Sequence, residues 1–197
     1  MTDKYGTGQD PYCYPDSQVL ENLLGIRDEN TLENAERELT EIAVQNIGFS
    51  EPPYDYAYLK LIHKILFTDV FAWAGEERTI DLSKQDTRFC TATRIEPEAN
   101  KLFSKLENKN YFVGLTEDEL IVQAADLYSE LNVIHPFREG NGRSQRILFE
   151  QIFLHCGYSI SWNPISRKEW LEANVEGYFG SMDKMIVVFR KSVRGMV

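Results

Sequence analysis

Twelve consecutive residues carry most of the chemistry-bearing side chains that stand close together in this chain: His135-Pro136-Phe137-Arg138-Glu139-Gly140-Asn141-Gly142-Arg143-Ser144-Gln145-Arg146. The His135 imidazole can accept a proton near neutral pH. Four positions later Glu139 offers the kind of carboxylate that Mg²⁺ uses beside substrate phosphates. Gly140, Asn141 and Gly142 then form a turn whose backbone can approach an anion without a Cβ in the way, and the Asn141 amide adds a possible donor. Arg143 and Arg146 follow three apart, on one helical face, in reach of more distal phosphates. A packed histidine, a Gly-x-Gly and a solvated arginine pair are each common alone. Together they spell a phosphate-transfer site.

Such a turn works only if a helix begins at it. The run Ile147, Leu148, Phe149, Ile152, Phe153, Leu154 is apolar on nearly all sides, as a central helix is, and ends at Gly157, suited to a left-handed cap. The unpaired N–H groups and macrodipole at its start would face the anion. On the other side, Thr116 as N-cap, Glu119 as its capping-box partner and Leu115 against Leu120 open a second helix. Its stripe continues through Ala124, Leu127, Tyr128 and Leu131. Pro136 stops it, which places His135 at its exit.

The remaining elements follow from periodicity. Thr31 to Ile47 and Tyr58 to Phe71 read as amphipathic helices, and further helices are expected near Arg167 to Glu176 and Met182 to Ser192, although Ile186 to Phe189 also suits a strand. Between residues 77 and 93 two short extended pieces flank the polar turn Ser83-Lys84-Gln85-Asp86, which reads as a hairpin. In a helical protein its edges have no sheet to join, so it is either a docking edge for an extended partner segment or a plain surface loop. The expected fold is all-α, one domain over 1–197 with a β-hairpin flap.

The net charge is 21 − 31 = −10. That excludes a nucleic-acid groove, which needs clustered positive charge, and makes the local group Arg138, Arg143 and Arg146 stand out as an anion site. Cys13, Cys90 and Cys156 have no metal or disulfide spacing; Cys156 is expected to be a buried thiol. No run approaches the roughly 20 apolar residues of a membrane span. A cytoplasmic protein is expected, with no membrane partner.

The segment 135–146 resembles the defining motif of the Fic family, His-x-Phe-x-(Asp/Glu)-Gly-Asn-Gly-Arg-x-x-Arg, at every fixed position. The resemblance extends to Asp10-Pro11-Tyr12, Leu24-Gly25-Ile26-Arg27, His63 to Gly75, Ile80-Asp81-Leu82-Ser83-Lys84 and Ile95-Glu96, and is nearest to the short bacterial Fic toxins. It implies transfer of AMP from ATP to a protein hydroxyl. His135 would be the base, Glu139 the Mg²⁺ ligand, Gly140, Asn141 and Gly142 the cradle of the α- and β-phosphates, and Arg143 and Arg146 the partners of the β- and γ-phosphates. Lys84, Thr87 and Phe89 on the flap would clamp the nucleotide and register the target. Gly142 stands where relatives that phosphorylate their targets carry lysine, which favours AMP transfer. The resemblance also implies a tyrosine on the ATPase subunit of a type II topoisomerase as target, and a small antitoxin supplying an inhibitory glutamate. Ser17-Gln18-Val19-Leu20-Glu21-Asn22 fits the loose pattern of an internal inhibitory helix, but the separate antitoxin is the preferred reading. Two other classes compete: an idle binding module that uses only the flap, and a kinase or AMP-removing phosphodiesterase on the same anion turn.

Overall fold

The structure, a computed structural model, describes residues 10–84 and 87–196. Residues 1–9, 85–86 and 197 lie outside the described residues, and with them half of the expected turn Ser83-Lys84-Gln85-Asp86.

Helix α1 spans Glu29–Ala43, capped by Asp28, whose side chain accepts from the Thr31 N–H; α2 spans Tyr56–Phe67, capped in the same way by Asp55. Both start two residues before the expected positions, because the aspartate cap, rather than the first apolar residue, sets where a helix begins. The inward row of α1 is Leu32, Glu36, Thr40 and Ala43, so two polar residues sit on its buried face. Helix α2 ends at Phe67, short of the expected Phe71, and Thr68 to Phe71 turn out of it.

Helix α3, Ile95–Asn108, was not foreseen, although Ile95, Ala99, Leu102, Phe103 and Leu106 make a regular inward stripe and Pro97 is tolerated in a first turn. Helix α4, Glu117–Ile134, has the expected capping box between Thr116 and Glu119, and α5, Asn141–His155, follows it. Helix α6, Arg167–Tyr178, opens with a second capping box, Ser166 with Glu169; α7, Asp183–Ser192, resolves the ambiguous 186–189 stretch as helix.

The central pair is α4 and α5. Helix α4 packs against α3, α5, α6 and α7, while α5 also packs against α2, which in turn carries α1. Ile121, Ala124, Leu131, Phe149, Ile152 and Phe153 are sealed from solvent between these layers. Burial of α5 on most sides is what its apolar clusters at 147–149 and 152–154 anticipated, with Leu154 left exposed. The hairpin is small: β1, Ser83–Lys84, pairs antiparallel with β2, Thr87–Arg88. A second antiparallel pair, β3 (Tyr158–Ile160) with β4 (Val193–Met196), ties the chain after α7 to the exit of α5 and was not anticipated. Cys156 is half-buried rather than fully buried, and desolvation still pushes its thiol up to about 11.

Candidate active site

The joint between α4 and α5 is fixed from several directions. His135 caps α4 in left-handed geometry (φ 49, ψ 62), its N–H still bonded to the Leu131 carbonyl, and Pro136 prevents continuation. Phe137 is fully buried and stacks on His63 at 3.8 Å between ring centroids. Asn141 turns both ends of its amide onto the Phe137 backbone, Oδ1 accepting from the N–H at 2.8 Å and Nδ2 donating to the carbonyl at 2.7 Å. The amide expected to face phosphate is therefore committed to holding the loop; the backbone N–H of Asn141 remains for an anion. Gly140 (φ +81) leaves no room for a side chain, since a Cβ there would stand 2.4 Å from the Phe67 ring.

His63 supports the same loop from α2. Its Nδ1 accepts from the Gly75 N–H at 2.8 Å, so the ring proton sits on Nε2, which donates to the Glu139 carbonyl at 3.0 Å. Burial holds this imidazole neutral, at about 4. Arg138 is buried, and its Nε and Nη2 bind the Asp10 carboxylate at 2.7 and 2.5 Å, so the segment ahead of α1 also grips the loop.

The His135 ring lies under the flap. Phe89 stacks on it at 3.9 Å with planes 14° apart, and Phe89 itself is only 7 % exposed. Expected as a flap residue reaching toward the target, Phe89 faces the imidazole instead of solvent. Desolvation, opposed by Glu139, pulls the His135 pKa down to about 4. At pH 7 the ring is neutral and carries the lone pair a general base needs. Arg78 ties these parts together: Nε donates to the His135 carbonyl at 2.8 Å, Nη1 to Ile80, and Nη2 to Cys90 and Ile134. One buried guanidinium thus satisfies the last carbonyls of α4 and the base of both arms of the hairpin.

Beyond the loop, Ser144 is the first residue whose N–H closes back into α5, on the Gly140 carbonyl. The N–H groups of Asn141, Gly142 and Arg143 precede it and have no partner within the helix. Glu139 folds its Oε1 onto the Gly140 N–H at 3.0 Å, at the edge of this nest. The two arginines diverge. Arg143 leans toward α1 and α2, pairing with Glu36, donating to the Thr40 hydroxyl at 3.4 Å and covering the Phe67 ring at 4.7 Å. Arg146 leans toward α6, over Trp170 at 5.8 Å, yet its Nη1 lies 3.4 Å from where a Gly142 Cβ would stand. Both therefore border the nest from opposite sides. Lys84 is exposed on β1 and Thr87 half-buried on β2. Beside them the Tyr178 hydroxyl, at the end of α6, both accepts from the Arg88 N–H and donates to the Arg88 carbonyl, each at 3.2 Å.

Among the described residues no group of three or more His, Cys, Asp or Glu could hold a metal unaided. Mg²⁺ keeps its waters and binds through one or two carboxylates plus substrate phosphates. Glu139, half-buried at the edge of an anion-accepting nest, fits that demand.

Sequence reasoning missed His63, Arg78 and Glu36. The first two bind backbone atoms, which leave no spacing signature. Glu36 could have been found, since it stands four residues after Leu32 on the inward row of α1.

The sequence matches the Fic/DOC family over residues 53–153. The chain belongs to that family. Among its relatives, the probable protein adenylyltransferase Fic of Salmonella typhimurium is 40% identical over 98% of this chain and 96% of that protein. The protein adenylyltransferase VbhT of Bartonella schoenbuchensis is 36% identical over 96% of this chain, which corresponds to 40% of VbhT. The crystal structure of the BepC protein of Bartonella tribocorum with bound AMPPNP superposes with a TM-score of 0.87 at 28% identity, covering 94% of this chain and 97% of that one. An N-terminal Fic domain from Bartonella quintana with bound ADP gives 0.86 at 29% identity, covering 94% and 95%. As a Fic protein with such relatives along nearly its whole length, the chain is a protein adenylyltransferase. No helix among the described residues is long and apolar enough to cross a membrane.

Proposed function

We propose that this Fic protein moves AMP from ATP to a hydroxyl of a target protein through the residues of the α4–α5 joint, acting as one functional domain over 1–197. The observation that carries this assignment is a neutral, half-buried imidazole at the C-terminal end of α4 beside the open N-terminus of α5. The N–H groups of Asn141, Gly142 and Arg143 receive the α- and β-phosphates, with the helix dipole adding positive potential. Arg143 and Arg146 approach the β- and γ-phosphates from two sides. Glu139, now on the Gly140 N–H, is the residue that would hold Mg²⁺, and the ion would supply charge neutralisation at the phosphates. His135 takes the proton of the target hydroxyl as its oxygen bonds to the α-phosphorus, and the bond to the departing pyrophosphate breaks.

Phe89 holds the plane of the His135 ring, while Lys84 and Thr87 clamp the nucleotide from the flap. An extended target segment lies along the hairpin edge, which supplies main-chain hydrogen bonds without demanding a sequence. From the family resemblance we take the target to be a tyrosine on the ATPase subunit of a type II topoisomerase, the setting to be a cytoplasmic toxin, and the inhibitor to be a small antitoxin. An internal inhibitor at Ser17 to Asn22 has no support in the geometry. That segment is a turn and a bridge, Cys13 with Leu20, and Glu21 is exposed.

Incubation with ATP labelled at the α-phosphate, Mg²⁺ and a bacterial lysate tests the reading, with mass spectrometry of the modified protein. An adenylyl group is expected. Phosphate alone would assign a kinase, loss of AMP from a pre-modified protein a phosphodiesterase, and no modification a binding module.

A further inference from the structure

Glu36 stands where a helix of this kind normally carries an apolar residue. It is 7 % exposed, in line with Leu32 and Thr40 on the face that α1 buries. A lone carboxylate there is costly, and desolvation raises its pKa despite the nearby arginine. Stability alone does not account for it, since an apolar side chain of similar size at a buried ion-pair position is commonly as stable or more so.

The geometry around Arg143 accounts for it. The guanidinium is fixed on three sides: the Phe67 ring beneath it, Thr40 Oγ1 on Nη1, and the Glu36 carboxylate on Nη2. A second carboxylate competes for the same nitrogen, since Glu139 Oε1 lies 3.8 Å from Nη2. Without Glu36 the nearest anion for Arg143 is the carboxylate that has to serve the metal. An arginine has five N–H donors in a rigid fork, so holding one edge leaves the others aimed outward for an oxyanion.

We propose that Glu36 is a positioning residue for the nucleotide site: it holds Arg143 by one edge, presents the free donors to the triphosphate, and keeps the guanidinium off Glu139. This rests on Arg143 being a phosphate ligand, as argued above. The benefit is preorganisation, and its removal should show in nucleotide affinity.

The test is calorimetric binding of AMPPNP with Mg²⁺ to the full chain and to Glu36→Gln, Glu36→Asp, Arg143→Ala and the double variant Glu36→Gln/Arg143→Ala, with KM and kcat for labelling. Arg143→Ala should weaken AMPPNP by about tenfold or more, and Glu36→Gln by about three- to tenfold. KM for ATP should rise with Glu36→Gln by the same factor, and kcat should change less than about twofold. Glu36→Asp keeps the charge and should recover part of the loss. In the Arg143→Ala background Glu36→Gln should cost nothing further, because its effect passes through that arginine. Weak binding by Arg143→Ala with unchanged or tighter binding by Glu36→Gln would overturn the inference alone. Equal losses in both backgrounds would do the same, since Glu36 would then act through the fold. Normal binding by Arg143→Ala would overturn the phosphate role of Arg143 and the inference with it. Should Glu36→Gln fail to fold, Glu36→Met, an apolar side chain of similar size, carries the same cycle.

Discussion

The loop joining α4 to α5 and the hairpin that covers it lie within ring-stacking distance of each other, yet they are built on opposite terms. The loop is over-determined: Phe137 is buried against His63, Asn141 is bonded twice to the Phe137 backbone, Arg138 is paired to Asp10, and Gly140 is pressed on Phe67. The hairpin has two residues in each strand and an exposed Lys84 and Arg88; among the described residues it is held at its base by Arg78 and the buried Leu82 and Phe89, and along β2 by the Tyr178 hydroxyl. Reacting groups have to be held within a fraction of an ångström. A surface that receives another protein gains from yielding to it, and needs only a firm root.

If that contrast is right, substitutions in the loop should damage chemistry or fold severely, and those on the hairpin should tune activity without touching stability. The largest effect expected is His135→Ala. Labelling should fall by about 10²- to 10⁴-fold, the usual worth of a general base, while calorimetry still detects AMPPNP. Retained labelling would remove the proposed base. Next is Phe137→Ala, which should cost about 3–5 kcal/mol in urea unfolding, because a large ring is lost from a closed core. Gly140→Ala combines a left-handed φ with a collision at Phe67 and should cost about 2 kcal/mol or more, read as a lowered Tm.

Acid should act on the loop before the hairpin. His63 and His135 are both depressed to about 4 from an ordinary 6.5. The unfolded chain takes up those protons as pH falls through 6.5, whereas the folded chain resists until about 4. The stability tied to neutral rings is therefore complete above about 6.5 and drains away between 6.5 and 4. Tm should decline across that window, and His63→Gln should make the decline shallower. For as long as the fold persists, the acid limb of kcat/KM should lie below 6.5; a limb at or above it would mean an exposed, ordinary imidazole. The smallest effect is Lys84→Ala on the hairpin: stability unchanged within about 0.5 kcal/mol, with a several-fold change in kcat/KM. A Tm loss as large as that of Gly140→Ala would erase the distinction between the two regions.

What the sequence disclosed follows the same division. Helix α4 was legible because its capping box, apolar stripe and stopping proline agree, and α5 because two apolar clusters, at 147–149 and 152–154, stand just after a glycine turn. That residues 135–146 form one joint between two helices was legible because Pro136 stops the first and the glycine turn opens the second. The supporting residues were not. Arg78 and His63 spend their hydrogen bonds on main-chain atoms far away in sequence, and the inward turn of Asn141 depends on a loop shape that only the packed aromatic rings impose. Helix α3 had a readable stripe, obscured by a proline that does no harm in a first turn.

The contact between Tyr178 and Arg88 limits how a visitor can arrive. The Phe89 N–H bonds to the Leu82 carbonyl across the hairpin, so at Arg88, one residue along, the main-chain N–H and carbonyl of β2 turn away from β1. The phenol already engages both of those groups. Of the two flanks of this ribbon, one is thus covered by the protein's own side chain, and the strand proposed to dock here would be left with the flank at Ser83.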